Sequence, residues 1–451
     1  MNEQSGMCYN AHSNVCSGVG MSILFKNAKI IATENGSLKV LENAFLGVDG
    51  KLINYIGTEK PRMEYDCEKD MYNKLLMPGL VNCHAHTAMN LLSGLGNDLP
   101  LMDWLHMLWP IEDRMRDEDF TSGMEMAVLE MLAGGTTSFS DMYWRPAITQ
   151  KVIGESGIKA DITRVMMGGG PDVDYLSYQN RVEALEFFRD FDGAYDDRLH
   201  ADWSIHAEYT IDERFAQKWA EEIQGLGGRL HIHLSETKNE HEECIAKKGK
   251  TPARWFYDLG FFNVPTYAAH CVWVSDEDMN LMLEKGVTPV HNPTSNLKLG
   301  SGFAPIPKMI NKGLKVALGT DGSASNNNVN MFEEMHLASV IHNGYLNDPT
   351  VMKPETVIRM ATVNGALAQG RPDTGSLEVG KKADIIALNL DAPHLVPDHD
   401  TLALVTYSAQ ASDVSMTMVD GRILYENGEY LTMDRDRIFR DYQKSVDYLF
   451  K

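Results

Sequence analysis

Between about Gly79 and Gly370 the chain repeats one pattern eight times, a short β-rich run ending on polar residues and then an amphipathic helical stretch. The runs are VNCHAH (81–86), TTSFSDM (136–142), ADITRVM (160–166), DWSIHAE (202–208), LHIHLSE (230–236), TYAAHCV (266–272), VTPVHNP (287–293) and VALGTDG (316–322). Strands that alternate with helices build a parallel sheet, and eight such units predict an α/β fold closed as a (β/α)8 TIM-like barrel. An open doubly wound sheet is the alternative, but the glycine-rich phosphate turn it needs after its first strand is absent. A barrel also collects the ends of its strands, here polar, at one face.

The two ends of the chain follow a different pattern. ILFKNAKIIAT and AFLGVDGKLINYIG near the start, with ADIIALNL and MTMVDGRILYENGEY near the end, are strands joined by tight turns at Asp49-Gly50, Asp420-Gly421 and Asn427-Gly428. They predict a small β-sandwich domain built from both termini, residues 22–78 plus 373–435, around a barrel at 79–372. Residues 436–451 are expected as a C-terminal helix, and the polar, unpatterned residues 1–21 as a disordered extension.

Lys plus Arg number 41 against 63 Asp plus Glu, a formal charge of −22. Such a surface repels polyanions, which argues against nucleic acid polymers and anionic membranes as partners. No apolar run is long enough to span a bilayer and no secretory signal opens the chain, so a cytoplasmic protein is expected. The six cysteines form no C-x-x-C pair, and reduced thiols are expected.

The chemistry concentrates at the strand ends. His84 and His86 are two apart at the first strand end, so an extended backbone points both imidazoles to one side. The fifth strand repeats the spacing with His231 and His233, followed by Glu236; the sixth supplies His270 and the eighth Asp321. His231, one step deeper, reads as a core or supporting histidine. Mixed imidazole and carboxylate groups suit a borderline divalent cation such as zinc or ferrous iron, and such a cation acidifies a bound water.

The segments MPGLVNCHAH (77–86), HLSE (233–236), His270 and TDG (320–322) resemble the amidohydrolase superfamily, in its cytosine/adenosine deaminase-like branch. SGLGNDLPLMDWLHMLWPIEDRM, after the first strand, is similar to a segment of the 5-methylthioadenosine/S-adenosylhomocysteine deaminases. The resemblance implies one divalent metal, zinc with iron as the alternative, held by His84, His86, His233 and Asp321. No lysine stands where two-metal members carry their bridging carboxylated lysine. Glu236, His270 and Asp321 are the implied catalytic residues, with Glu236 as the proton shuttle to a ring nitrogen. Trp104, Glu112, Arg164, Arg181 and His206 are implied substrate contacts alongside Glu236 and Asp321, and His291 is expected to support or shape a loop.

The expected activity is hydrolytic, metal-dependent deamination of a small adenosine-type nucleoside, 5-methylthioadenosine or S-adenosylhomocysteine, to the inosine analogue plus ammonia. Deamination or dechlorination of a triazine, pterin or guanine-like ring is the alternative on the same scaffold; a ring without ribose has no use for Glu112 and Arg164. A scaffold without catalysis has no need of the ligand set. A homo-oligomer is compatible with the resemblance.

Overall fold

The computed structural model describes residues 20–451, so the expectation for residues 1–21 lies, apart from the last two, outside the described residues. Five strands open the chain: β1 (Ile23–Glu34), β2 (Ser37–Asp49), β3 (Leu52–Gly57), β4 (Cys67–Asp70) and β5 (Lys74–Pro78). The next eight are β6 (Leu80–Ala85), β7 (Thr136–Tyr143), β8 (Lys159–Arg164), β9 (Leu199–Ile205), β10 (Leu230–Leu234), β11 (Thr266–His270), β12 (Thr288–His291) and β13 (Ala317–Leu318). Four more follow, β14 (Ile385–Asn389), β15 (Val414–Val419), β16 (Arg422–Glu426) and β17 (Glu429–Tyr430).

Strands β6 to β13 lie side by side in sequence order, each parallel to its neighbour. The ends of this sheet meet where the Asp321 N–H donates to the His84 carbonyl at 2.9 Å and the Thr320 N–H to Asn82 Oδ1 at 3.0 Å. Every predicted strand run coincides with one of these eight strands, and the expected barrel is the observed architecture.

The other strands form one mixed sheet in the order β17-β16-β15-β14-β5-β1-β2-β3, with β4 against β1. Its two chain ends join where β5 pairs antiparallel with β14, Leu75 opposite Leu388 and Pro78 opposite Ile385. Gly79 then turns the chain from this sheet into the barrel; a β-carbon there would lie 2.2 Å from the Thr137 side chain. Lys159, at the start of β8 and fully buried, ties the two units together through Asp384 and Asp420, each at 2.6 Å.

The helices pack on the barrel through apolar stripes. In Glu213–Ile223 the buried residues are Phe215, Ala216, Trp219, Ala220 and Ile223, a helical period, and Asp212 caps the first turn by accepting the Phe215 N–H at 3.1 Å. Trp219 meets Trp203 of β9 edge to face, with ring centres 5.5 Å apart. Truncating a buried tryptophan to alanine costs roughly 3–5 kcal/mol, so this contact contributes strongly to holding the helix on the sheet.

The last helix, Arg435–Phe450, lies on the helix Asp117–Ala133 through Arg437 on Glu125 at 2.7 Å and Ser445 on Ser122 at 2.9 Å. Its Leu449 joins Leu92, Leu101 and Trp104 in one apolar cluster. Among the described residues no helix is long and apolar enough to cross a membrane. Cys83, Cys244 and Cys271 are free and buried.

Candidate active site

Strand pleating delivers the histidines as their spacing requires. His84 is the penultimate residue of β6, and His86 follows its end; His231 and His233 share a face of β10, and His270 ends β11. Asp321 follows β13, with Oδ1 3.2 Å from both His84 Nε2 and His86 Nε2. Its Oδ2 accepts the hydroxyls of Ser295 (2.6 Å) and Ser325 (2.8 Å), which fix the carboxylate plane. The backbone at His270, Asp321 and Ser235 is left-handed, φ +72°, +64° and +47°. Side-chain-bearing residues adopt that region at a cost of order 1–3 kcal/mol, which the surrounding contacts must offset.

Each imidazole is anchored on its outer nitrogen. His86 Nδ1 donates to the Met142 carbonyl at 2.5 Å, His233 Nδ1 to the His206 carbonyl at 2.7 Å, and His270 Nδ1 to Asn296 Oδ1 at 2.8 Å. His84 Nδ1 lies 2.7 Å from His231 Nε2, which gives His231 its supporting role. A proton on Nδ1 leaves a lone pair on Nε2, and the Nε2 atoms of His86 and His233 face each other at 3.3 Å. His84 Nε2 is buried without a well-formed hydrogen bond. Lone pairs turned on one point repel unless a cation sits among them, and anchored outer nitrogens are how metal-binding imidazoles are held.

The donor atoms of His84, His86 and Asp321, and those of His84, His233 and His270, each lie within 4.8 Å of one another. The residues therefore fit a single divalent cation. Burial lowers the His84 pKa to about 3 and pushes those of His231 and His233 well below the ordinary value, so these rings are neutral, as ligation requires. For His86 burial acts the same way, but the hydrogen bond and charge of Asp321 outweigh it and raise the pKa to about 8.

Above this cluster lies a cavity whose wall includes Trp104, Glu112, His206, Glu236, His270 and Asp321. Glu236 is buried, accepts the Ser301 hydroxyl at 3.3 Å, and stands 3.8 Å from His270 Nε2; burial raises its pKa. Ser235, Glu236 and Thr237 all direct their backbone N–H groups at the Glu240 carboxylate. Helix Leu101–Glu112 carries Trp104 and Glu112 to the opposite wall, where Glu112 accepts the Tyr143 hydroxyl and burial raises its pKa. Trp104 Nε1 and His206 Nδ1 are buried without a partner in the protein, the condition of groups that await a ligand.

The two arginines fall elsewhere. Arg164 ends β8 but turns to Glu183 (2.5 Å), Asn180 (2.7 Å) and the Val165 carbonyl (2.9 Å), with its guanidinium 4.9 Å from the Trp144 ring centre. Arg181 is paired with Glu222 and the Leu176 carbonyl. Neither lines the cavity. His291 is buried against His342, Nε2 to Nε2 at 3.1 Å, a supporting position. Sequence reasoning missed Ser295, Asn296, Ser301, Tyr143 and Glu240. Ser295 and Asn296 lie in the HNPTSN stretch that carried a signal at His291, but nothing in it showed which side chain would reach His270.

Comparison with known proteins agrees with this geometry. The profile of the amidohydrolase family matches residues 75–424. The chain is 42% identical to the 5-methylthioadenosine/S-adenosylhomocysteine deaminase of Acetivibrio thermocellus, over 93% of this chain and 97% of that one. It is 38% identical to the 5'-deoxyadenosine deaminase of Methanosarcina acetivorans, over 95% and 98%. A crystal structure of an adenosine deaminase from Xanthomonas campestris with bound zinc superposes with a TM-score of 0.88 at 30% identity, covering 95% of this chain and 98% of that one. The chain belongs to the amidohydrolase family.

Proposed function

We propose that this enzyme hydrolyses the exocyclic amine of adenosine-type nucleosides, releasing ammonia and the inosine analogue. The observation that carries the reading is Glu236, a buried carboxyl group whose pKa burial raises, standing 3.8 Å from His270 in the wall of the cavity that the histidine and aspartate cluster also lines. The names of the relatives, deaminases of 5-methylthioadenosine, S-adenosylhomocysteine and 5'-deoxyadenosine, support it.

His84, His86, His233 and Asp321 would hold one divalent ion, and zinc is the choice we favour. When bound, the ion supplies a nucleophile at neutral pH by bringing the pKa of water to about 7. Asp321 takes the proton that the water loses. His270, its Nδ1 committed to Asn296, presents Nε2 to orient the nucleophile against C6. Glu236 gives its proton to ring N1, which makes C6 electrophilic. After addition, Glu236 recovers a proton from the new C6 hydroxyl while Asp321 passes its own to the amine, which leaves as ammonia. Both carboxyl groups thus end the cycle as they began it.

The remaining walls orient the nucleoside. Glu112 offers two carboxylate oxygens to the ribose hydroxyls, while Trp104 and His206 flank the purine with polar atoms that have no partner in the protein. Arg164 and Arg181 receive no substrate contact in this reading. The test is ammonia release by metal-replete enzyme from adenosine, 5-methylthioadenosine, S-adenosylhomocysteine, free adenine, guanine and a chlorotriazine. Turnover of nucleosides is expected. Turnover confined to free bases or triazines overturns the reading.

A further inference from the structure

Glu112 and Tyr143 reach the cavity from different elements, the helix Leu101–Glu112 and the end of β7. Both side chains are buried, and among the described residues the Tyr143 hydroxyl is the one hydrogen-bond donor directed at Glu112, on Oε1. Burial, with the Glu112 charge next in size, pushes the Tyr143 phenol well above its ordinary pKa, so it stays a donor. At Glu112 burial favours the protonated form, and the Tyr143 hydrogen bond opposes it. A carboxylate has room for roughly four hydrogen bonds. Tyr143 fills one of these and leaves Oε2 without a partner in the described chain. The phenol ring lies edge to face on Phe120, with ring centres 5.8 Å apart, and the preceding residue, Met142, anchors His86 through its carbonyl. Two consecutive residues of one strand end thus hold an imidazole of the histidine cluster and the Glu112 carboxylate.

We infer that Tyr143 is a specificity-determining positioning residue, whose hydroxyl holds Glu112 as an oriented acceptor for the ribose diol, so that preference for ribose over deoxyribose passes through Tyr143 as well as Glu112. The inference rests on the nucleoside reading above and deepens it. A polar group fixed in a buried wall penalises an analogue that leaves it unpaired. A carboxyl group without its restraint has to be ordered by each substrate that binds, which weakens the gain from the diol. The diol is remote from C6, and a contact made alike in ground and transition states appears in KM with kcat kept.

The experiment measures kcat and KM of metal-replete wild type, Tyr143→Phe, Glu112→Gln and the double variant on two matched pairs, adenosine with 2',3'-dideoxyadenosine and 5-methylthioadenosine with its 2',3'-dideoxy analogue. Within a pair only the ribose hydroxyls differ, and the ratio of the two substrates does not depend on the fraction of enzyme folded. Wild type is expected to prefer the ribonucleoside at least about 10-fold in kcat/KM. Tyr143→Phe should lose at least about 5-fold on the ribonucleoside, through KM, and less than about 2-fold on its dideoxy partner. Added to Glu112→Gln, it should deepen that variant's loss by less than about 2-fold, because the hydroxyl acts through the carboxylate. Equal losses on both members of a pair mark a merely structural role and overturn the inference, as does unchanged activity on the ribonucleoside. A wild type indifferent to the ribose hydroxyls overturns it too, while leaving deamination intact. No deamination of either ribonucleoside overturns the nucleoside reading itself.

Discussion

The carboxylate of Glu240 accepts the backbone N–H of Glu236 at 2.7 Å, and it takes the N–H groups of Ser235 and Thr237 at 3.0 and 3.3 Å as well. Three consecutive amides are thereby gathered onto one side chain, next to the left-handed residue Ser235. Glu240 is a positioning residue for the proposed proton shuttle. In Glu240→Gln an amide N–H2 replaces one acceptor oxygen, so kcat is expected to fall roughly 10- to 100-fold through misplacement of Glu236, with metal content and melting temperature close to wild type. Wild-type kcat in the variant removes that role.

Glu236→Gln keeps the shape of the cavity but has no acidic proton to give. We expect deamination to drop by about 10²- to 10⁴-fold, the range for loss of a general acid, while metal analysis still finds the ion. Activity near wild type refutes the shuttle.

His233 is anchored on the His206 carbonyl and turns Nε2 toward His86. His233→Ala is expected to lower bound metal well below one equivalent and to abolish turnover. Chelation of the wild-type enzyme should do the same, and zinc should restore both activity and melting temperature, since an ion at 100 times its Kd stabilises by about 2.7 kcal/mol. Full activity of a metal-stripped chain contradicts the assignment.

Glu334 is fully buried, accepts Asn326 Nδ2 at 2.7 Å and the Thr294 N–H at 3.2 Å, and burial raises its pKa to about 8 from an ordinary 4.5. The folded chain therefore holds a proton that the unfolded chain releases above about pH 4.5. Its contribution to stability is complete below that pH and is lost as the pH rises toward about 8, with a slope of at most about 1.4 kcal/mol per pH unit. Urea unfolding at pH 5, 6.5 and 8 should show a flatter decline in Glu334→Gln than in wild type; parallel slopes contradict the raised pKa.

Much of this site was legible because strands have period two. The spacing of His84 with His86 and of His231 with His233 places each pair on one face without reference to any other part of the chain. His270 and Asp321 were legible as polar ends of apolar runs. The partners were not. Ser295 and Asn296, on the short helix Pro293–Lys298, and Ser325, on the short helix Ser323–Asn326, reach Asp321 and His270 only through the tertiary placement of those helices, which no local pattern specifies. Arg164 has the residue type and strand-end position of a substrate contact, yet Glu183, 19 residues on, occupies it. The sheet that joins the two termini was visible as hairpins, but its central pairing of β5 with β14 was not, because register between distant segments is set by packing.

Lys159 is fully buried between Asp384 and Asp420, at 2.6 Å each. Lys159→Met leaves these two buried carboxylates without their contacting ammonium, and a loss of about 3–5 kcal/mol in unfolding free energy is expected. Adding Asp384→Asn and Asp420→Asn to it should recover part of that loss; no recovery contradicts the charge argument.

The pairing of Leu75 with Leu388 also sets a timetable. During synthesis the barrel strands emerge one after another, but β5 has no partner on its β14 side until more than 300 residues later, and β15 to β17 emerge later still. Contacts so distant in sequence form slowly and leave an unpaired apolar edge exposed in the meantime. A ribosome that stalls or a chain that ends before β14 therefore releases a complete set of barrel strands beside a terminal sheet whose β5 edge is open, and such fragments are expected in the aggregate rather than the supernatant.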